Sequence, residues 1–120
     1  MLNESGEMYL ETILILSKEK EKVRSLDIAN YMNFSKASIS RAMSLLKNNN
    51  YIIIAKDGSI ILTKKGKNIA SKIYERHIVL STLLCQIGID KKTATADACK
   101  IEHVISNKSF NAIKKMIRGN

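Results

Sequence analysis

The chain contains no proline and only five glycines. Proline inside a helix removes a hydrogen bond and clashes with the preceding turn, and glycine there costs about 1 kcal/mol relative to alanine. A sequence this poor in both residues favours helices over an all-β fold, whose many turns draw on them. Aromatic residues make up 5% of the chain and tryptophan is absent, so the core must be built from Ile, Leu, Val, Met and Ala. A length of 120 residues suffices for one ordinary domain, or for two small ones sharing an interface.

The spacing of apolar residues divides the chain into segments. Ser5 is a candidate N-cap for a first helix that turns Met8, Tyr9, Ile13, Leu14 and Leu16 to one face and ends near Ser17. Residues 18–22 alternate in charge and read as a solvated connection. A second helix starts near Ser25 or Leu26 and buries Ile28, Ala29 and Met32. Asn33 then suits the left-handed conformation of a tight turn. Ser35 caps a third helix carrying Ile39, Ala42, Met43 and Leu46 inward, and the run of three asparagines at 48–50 ends it. Two β-like runs follow, residues 51–55 and 60–63, around an Asp57-Gly58 pair that predicts a type I′ hairpin turn. Thr63 caps a long fourth helix reaching about Ile87, with Ile69, Ile73 and Leu80 buried and Lys65, Lys72 and Arg76 exposed, and Gly88 stops it. Asp90 caps a fifth helix to about Val104. A sixth starts at Ser106 or Asn107 and places Phe110, Ile113 and Ile117 on one side.

The expected fold is mainly α with a small β-hairpin: a winged helix-turn-helix over residues 1–63, followed by a helical unit over residues 64–120. Twenty Lys and Arg oppose eleven Asp and Glu, for a net charge of +9, and residues 36–76 hold nine of the basic residues against two acidic ones. Such a surface attracts phosphate. In a helix-turn-helix the first helix braces and the second enters the major groove, with its N-terminal residues at base edges. Ser35, Lys36, Ser38, Ser40 and Arg41 supply short or cationic donors there. Arg41 suits guanine O6 and N7, while the serines and Lys36 suit phosphates, and Lys56 at the hairpin tip suits a neighbouring phosphate. Arg24, Ala37 and Lys47 complete the expected DNA-facing set. The bland reading of the segment is an αα-hairpin with a polar surface.

Cys99, Glu102 and His103 stand at i, i+3 and i+4, one face of a helix, and bring together sulfur, oxygen and nitrogen donors suited to a transition metal. Three other residues are candidates to join them. Met8 and Glu11 lie i, i+3 on the first helix, where Met8 is either core or ligand and Glu11 either a solvent-facing acid or a ligand. His77, the other histidine, is either a packing residue or a ligand. Cys85, in an apolar run, reads as a small buried hydrophobe. Two cysteines make no disulfide framework, no signal peptide precedes Ser5, and no apolar run approaches the ~20 residues a membrane helix needs. The expectation is a reduced, cytoplasmic protein with no membrane partner and no small organic substrate.

Several stretches in register then resemble the diphtheria toxin repressor and manganese transport regulator family of metal-dependent repressors. They are residues 7–14 (EMYLETIL), Asp27-Ile28-Ala29, Phe34-Ser35-Lys36, residues 62–66 (LTKKG), Arg76-His77 and residues 97–106 (DACKIEHVIS). The resemblance covers nearly the whole chain. It implies a short form of the family without a C-terminal SH3-like domain, a homodimer, co-repression by a divalent metal, palindromic operators and control of metal uptake. In iron-responsive relatives Met, Cys, Glu and His hold the regulatory metal and correspond to Met8, Cys99, Glu102 and His103. Manganese-responsive relatives carry Asp and Glu where Met8 and Cys99 stand, and also use the residues corresponding to Glu11 and His77. Further iron-type ligands fall on Ser81 and Thr95, so a complete ancillary site is not expected, although Glu11 and His77 could still hold a second ion, and Ala37 replaces a frequent proline.

Mn(II) prefers oxygen, whereas Fe(II), Co(II), Ni(II) and Zn(II) accept sulfur and nitrogen. The two sulfur positions therefore favour Fe(II), with Mn(II) next and the others able to bind in vitro. Donors from the first helix and the helical unit closing on one cation are expected to set the separation of two recognition helices in a dimer, which must be about 34 Å. Three rival readings are a small metalloenzyme, a metal-independent winged-helix regulator and a metal store. They are separated by turnover of hydrolysable esters, by operator binding unchanged by chelator, and by absence of sequence-specific DNA binding.

Overall fold

A computed structural model describes residues 2–118. Among them are six helices and one two-stranded antiparallel sheet, in the order α1 (Glu4–Glu19), α2 (Ser25–Met32), α3 (Lys36–Asn48), β1 (Ile52–Ile54), β2 (Ile60–Leu62), α4 (Lys64–Gln86), α5 (Lys91–Ile101) and α6 (Asn107–Ile117). The chain forms two compact units, Met1–Ser71 and Lys72–Asn120, with α4 running through the boundary.

In the first unit, α1 starts earlier than Ser5. Asn3 is its N-cap, accepting a 2.8 Å hydrogen bond from the Gly6 amide, and Glu4 and Glu7 place negative charge in the first turn. An asparagine carbonyl oxygen and two early acids together outweigh the serine. α1 buries Leu10, Ile13, Leu14 and Leu16, which form the core of this unit with Ile28 and Ala29 of α2, Ile39, Met43 and Leu46 of α3, and Ile52 and Ile60 of the hairpin. Ala42 is half-buried. Asn33 is left-handed at φ 59°, which turns the chain between α2 and α3. Asn50 repeats the device at φ 65°, with the Tyr51 amide bonding Leu46 O at 2.9 Å. Ser35 caps α3 by accepting from the Ser38 amide at 3.1 Å.

The hairpin pairs Ile52 with Leu62, Ile53 with Ile61 and Ile54 with Ile60. Its strands are shorter than the β-like runs, and its turn is not type I′. That turn needs positive φ at both central residues, and here Gly58 (φ 86°) is left-handed while Asp57 is not. The Gly58 amide bonds Ala55 O and the Ala55 amide bonds Ser59 O, so Lys56-Asp57-Gly58 forms a three-residue loop. Asp57 Oδ1 accepts from the Ser59 amide at 3.0 Å and from its hydroxyl at 2.6 Å, and Oδ2 takes the Lys22 ammonium at 2.9 Å. These bonds to Ser59 and Lys22 hold the Asp57 carboxyl well below the usual aspartate range. The folded value lies below the unfolded one, so this contribution is complete above about pH 4 and is lost only as pH falls through the lower folded value. The Ser59 amide resonance is expected to titrate well below 3.8, the ordinary aspartate value. A midpoint at that value, read by proton–nitrogen NMR, contradicts it.

Thr63 caps α4, its hydroxyl accepting from the Gly66 amide at 3.1 Å and lying 2.7 Å from Asn50 O. Gly88 (φ 101°) ends the helix, with its own amide bonding Cys85 O and the Ile89 amide bonding Leu84 O. In the second unit Ile73 and Leu80 are buried as expected, with Ala94, Ala98 and Phe110. Ile69, back in the first unit, is only half-buried. Cys85 is exposed rather than buried, because an unbroken apolar run says nothing of which way each 100° step of a helix points. Asp90 and Ser106 cap α5 and α6 by accepting from the amides of Thr93 and Ser109. α5 ends at Ile101, three residues before Val104, and Glu102 keeps helical angles as its C-cap. No described helix is long and apolar enough to cross a membrane.

Candidate metal centre and nucleic-acid face

Side chains of the second unit converge on Glu102. His77 stands on α4, Cys99 in the last turn of α5, and Glu102 just beyond it. One ligand atom from each lies within 4.8 Å of the other two. His77 Nδ1 is 2.8 Å from Glu102 Oε1, and His103 Nε2 is 3.4 Å from Glu102 Oε2. The Glu102 side chain has no exposed surface, and those of His103 and His77 are 1% and 18% exposed. No described donor hydrogen-bonds Glu102 Oε2.

The donor set and the burial fit a divalent cation. A carboxylate withdrawn from water, with one oxygen lacking a donor, carries a desolvation penalty of several kcal/mol that a bound cation relieves. Imidazole and thiolate add donors acceptable to first-row metals. His77 stands beside Cys99 and against the Glu102 carboxylate. Of the two remaining candidates, both in the first unit, Met8 is half-buried on α1, and Glu11 one turn on is only 6% exposed, which removes the solvent-facing reading. Ser81 and Thr95 border an open depression with Cys85 and Lys91, and the Ser81 hydroxyl is returned to the backbone of His77.

Arg76 was expected on the exposed face of α4. It is instead half-buried, and its guanidinium donates to Glu102 O at 3.0 Å, to Ile105 O at 2.9 Å and to the Asn107 side-chain oxygen. Its partners lie 26 to 31 positions away, so periodicity along α4 gives no signal for them.

On the first unit, α3 buries Ile39, Met43 and Leu46 and leaves Lys36, Ala37, Ser38, Ser40, Arg41 and Lys47 exposed, with Ser35 exposed at its cap. Arg24 and Lys56 are exposed as well. Ser35 is already engaged, its hydroxyl donating to Ser38 Oγ at 3.0 Å. Arg24 Nε donates to Asp57 O at 3.2 Å and so ties the start of α2 to the hairpin loop.

Residues 1–60 match a family described as the iron dependent repressor N-terminal DNA binding domain, and residues 63–119 match the iron dependent repressor metal binding and dimerisation domain. The chain belongs to the iron dependent repressor family. It is similar to the HTH-type transcriptional regulator MntR of Bacillus subtilis strain 168, at 32% identity over 118 residues, covering 98% of this chain and 83% of that protein. It is also similar to the uncharacterized HTH-type transcriptional regulator MJ0568 of Methanocaldococcus jannaschii, at 30% identity over 94% of this chain and 92% of that one. Among solved structures, that of the manganese regulator SloR superposes with a TM-score of 0.82 at 26% identity; it aligns with 98% of this chain, which spans only about half (54%) of that one. This member of the iron dependent repressor family is a metal-dependent transcriptional repressor of the diphtheria toxin repressor and manganese transport regulator group, and not an enzyme.

Proposed function

We propose that this repressor binds palindromic operator DNA as a homodimer when loaded with a divalent metal, Fe(II) in preference to Mn(II), and that it controls metal-ion homeostasis in the cytoplasm. The observation that carries this reading is the convergence of His77, Cys99 and Glu102 within 4.8 Å, on a buried carboxylate whose Oε1 meets His77 and whose Oε2 has no hydrogen-bond donor. The proposed ligands are His77, Cys99, Glu102 and His103, with Met8 and Glu11 added on the strength of the family resemblance. These residues would hold a cation whose positive charge would offset the buried Glu102 carboxylate. The sulfur of Cys99 tips the preference from Mn(II) toward Fe(II), and Zn(II), Co(II) and Ni(II) share that acceptance of sulfur in vitro.

The proposed DNA contacts are Arg24, Ser35, Lys36, Ala37, Ser38, Ser40, Arg41, Lys47 and Lys56, in a DNA-binding domain of residues 1–63 ahead of a metal-binding and dimerisation domain of residues 64–120. Arg41, exposed on the second turn of α3, is the proposed base reader. Lys36 and Lys56 are proposed to hold phosphates, and Ser35 and Arg24 to set the positions of α3 and the hairpin loop.

A gel shift on the DNA upstream of the protein's own gene, run with chelator, with Fe(II) under anaerobic conditions and with Mn(II), tests the whole reading. Retardation is expected with Fe(II), a weaker shift with Mn(II), and none with chelator. Equal retardation in all three lanes identifies a metal-independent regulator, and a stronger shift with Mn(II) reverses the metal preference.

A further inference from the structure

Glu102 and His103 follow the end of α5, where a helix leaves its last carbonyls without intrahelical donors. The ends of α2, α3 and α4 are closed by left-handed residues, Asn33, Asn50 and Gly88. Residues 101–106 include no such residue. The amides of Val104 and Ile105 bond Ile101 O, and the carbonyls of the turn beyond it are taken by a side chain from α4. The Nη1 of Arg76 donates to Glu102 O at 3.0 Å and to Ile105 O at 2.9 Å, and Nη2 donates to Asn107 at the start of α6. The guanidinium carbon sits 5.5 Å from the ring centroid of Phe110, which is 4% exposed. Immediately before it, Glu75 takes Lys114 of α6 at 2.8 Å, and immediately after it, His77 reaches Glu102 at 2.8 Å. Three consecutive residues of α4 therefore fasten α6, the 102–105 turn and the Glu102 carboxylate.

We propose that Arg76 is a positioning residue for the metal centre: it pins the backbone on both sides of His103, so that Glu102 and His103 are held ready before any ion arrives. The inference rests on the proposed metal reading and deepens it. Two carbonyls and an amide oxygen at different angles need the planar fork of an arginine, and a lysine ammonium presents a single compact charge. Groups that orient metal ligands without touching the metal carry roughly 10–100-fold of metal affinity.

The test uses the full chain and Co(II), a spectroscopic stand-in that accepts sulfur and nitrogen donors. Arg76→Ala is expected to keep its helical circular dichroism, to bind Co(II) roughly 10–100-fold more weakly, and to show an altered thiolate-to-cobalt absorption from Cys99. Arg76→Lys is expected to show an intermediate loss. If Arg76→Ala does not fold, Arg76→Lys carries the test alone. Wild-type affinity and spectrum in a folded Arg76 variant overturn the role of Arg76 while leaving the metal reading intact. A wild-type protein that takes up no Co(II) overturns the metal reading and this inference with it.

Discussion

Glu102→Gln is expected to remove most of the stabilisation that the protein gains from divalent metal, without weakening the metal-free fold. The wild-type side chain is wholly buried, with Oε1 against His77 and Oε2 lacking a hydrogen-bond donor. Glutamine keeps the shape and a carbonyl oxygen for His77, and removes a buried charge whose desolvation is expensive. Removing Glu102, a proposed direct ligand, should cost at least the roughly 100-fold that marks the upper end for groups acting from outside the coordination sphere. Wild-type protein with metal at about 100 times its dissociation constant gains about 2.7 kcal/mol, and a variant weakened by that factor gains about 0.4 kcal/mol. Thermal melts of both proteins, in chelator and in Co(II), read the two effects separately. The expected pattern is an equal or higher Tm for the variant in chelator and a metal-induced rise several-fold larger in the wild type. An equal rise in both proteins removes Glu102 from the site.

Gly66→Ala is expected to destabilise the first unit, against the ordinary ranking of the two residues in helices. Gly66 lies in the first turn of α4, and alanine at an unobstructed helical position is better than glycine by about 1 kcal/mol. A Cβ built there meets Tyr51 O at 2.1 Å and Tyr51 C at 3.0 Å. That carbonyl has little freedom to withdraw, since it accepts from the Thr63 amide at 3.1 Å and from the Thr63 hydroxyl at 3.0 Å. The neighbouring strand would have to shift, and overpacking of this kind costs about 3 kcal/mol when backbone must move. The net loss is about 2 kcal/mol, a fall in Tm of roughly 8–16 °C for a unit of this size. Calorimetry on the two proteins decides the sign. A Tm that rises shows that the chain at Tyr51, just before β1, yields at little cost and that helix propensity prevails.

Much of the fold can be read from residues lying close together in the chain. Asn33, Asn50 and Gly88 mark left-handed turns, and Ser35, Thr63, Asp90 and Ser106 mark helix starts, because a cap or a tight turn is made by neighbours within about four positions. The i, i+3, i+4 spacing of Cys99, Glu102 and His103 is legible for the same reason. Where short-range patterns compete, they rank poorly. Ser5 gave way to Asn3, and the type I′ turn suggested by Asp57-Gly58 gave way to a three-residue loop in which Gly58 alone is left-handed.

The sequence by itself thus determined the run of helices, the winged order of the first unit and the kinds of donor available for a metal. Only the tertiary structure decided that His77 meets Glu102, that Arg76 turns inward to hold the 102–105 turn, that Cys85 faces out, and that Gly66 leaves room for the Tyr51 carbonyl. Helical periodicity fixes which residues share a face, but the neighbour that face receives is set by packing between segments 15 to 31 residues apart, where local propensity carries no information.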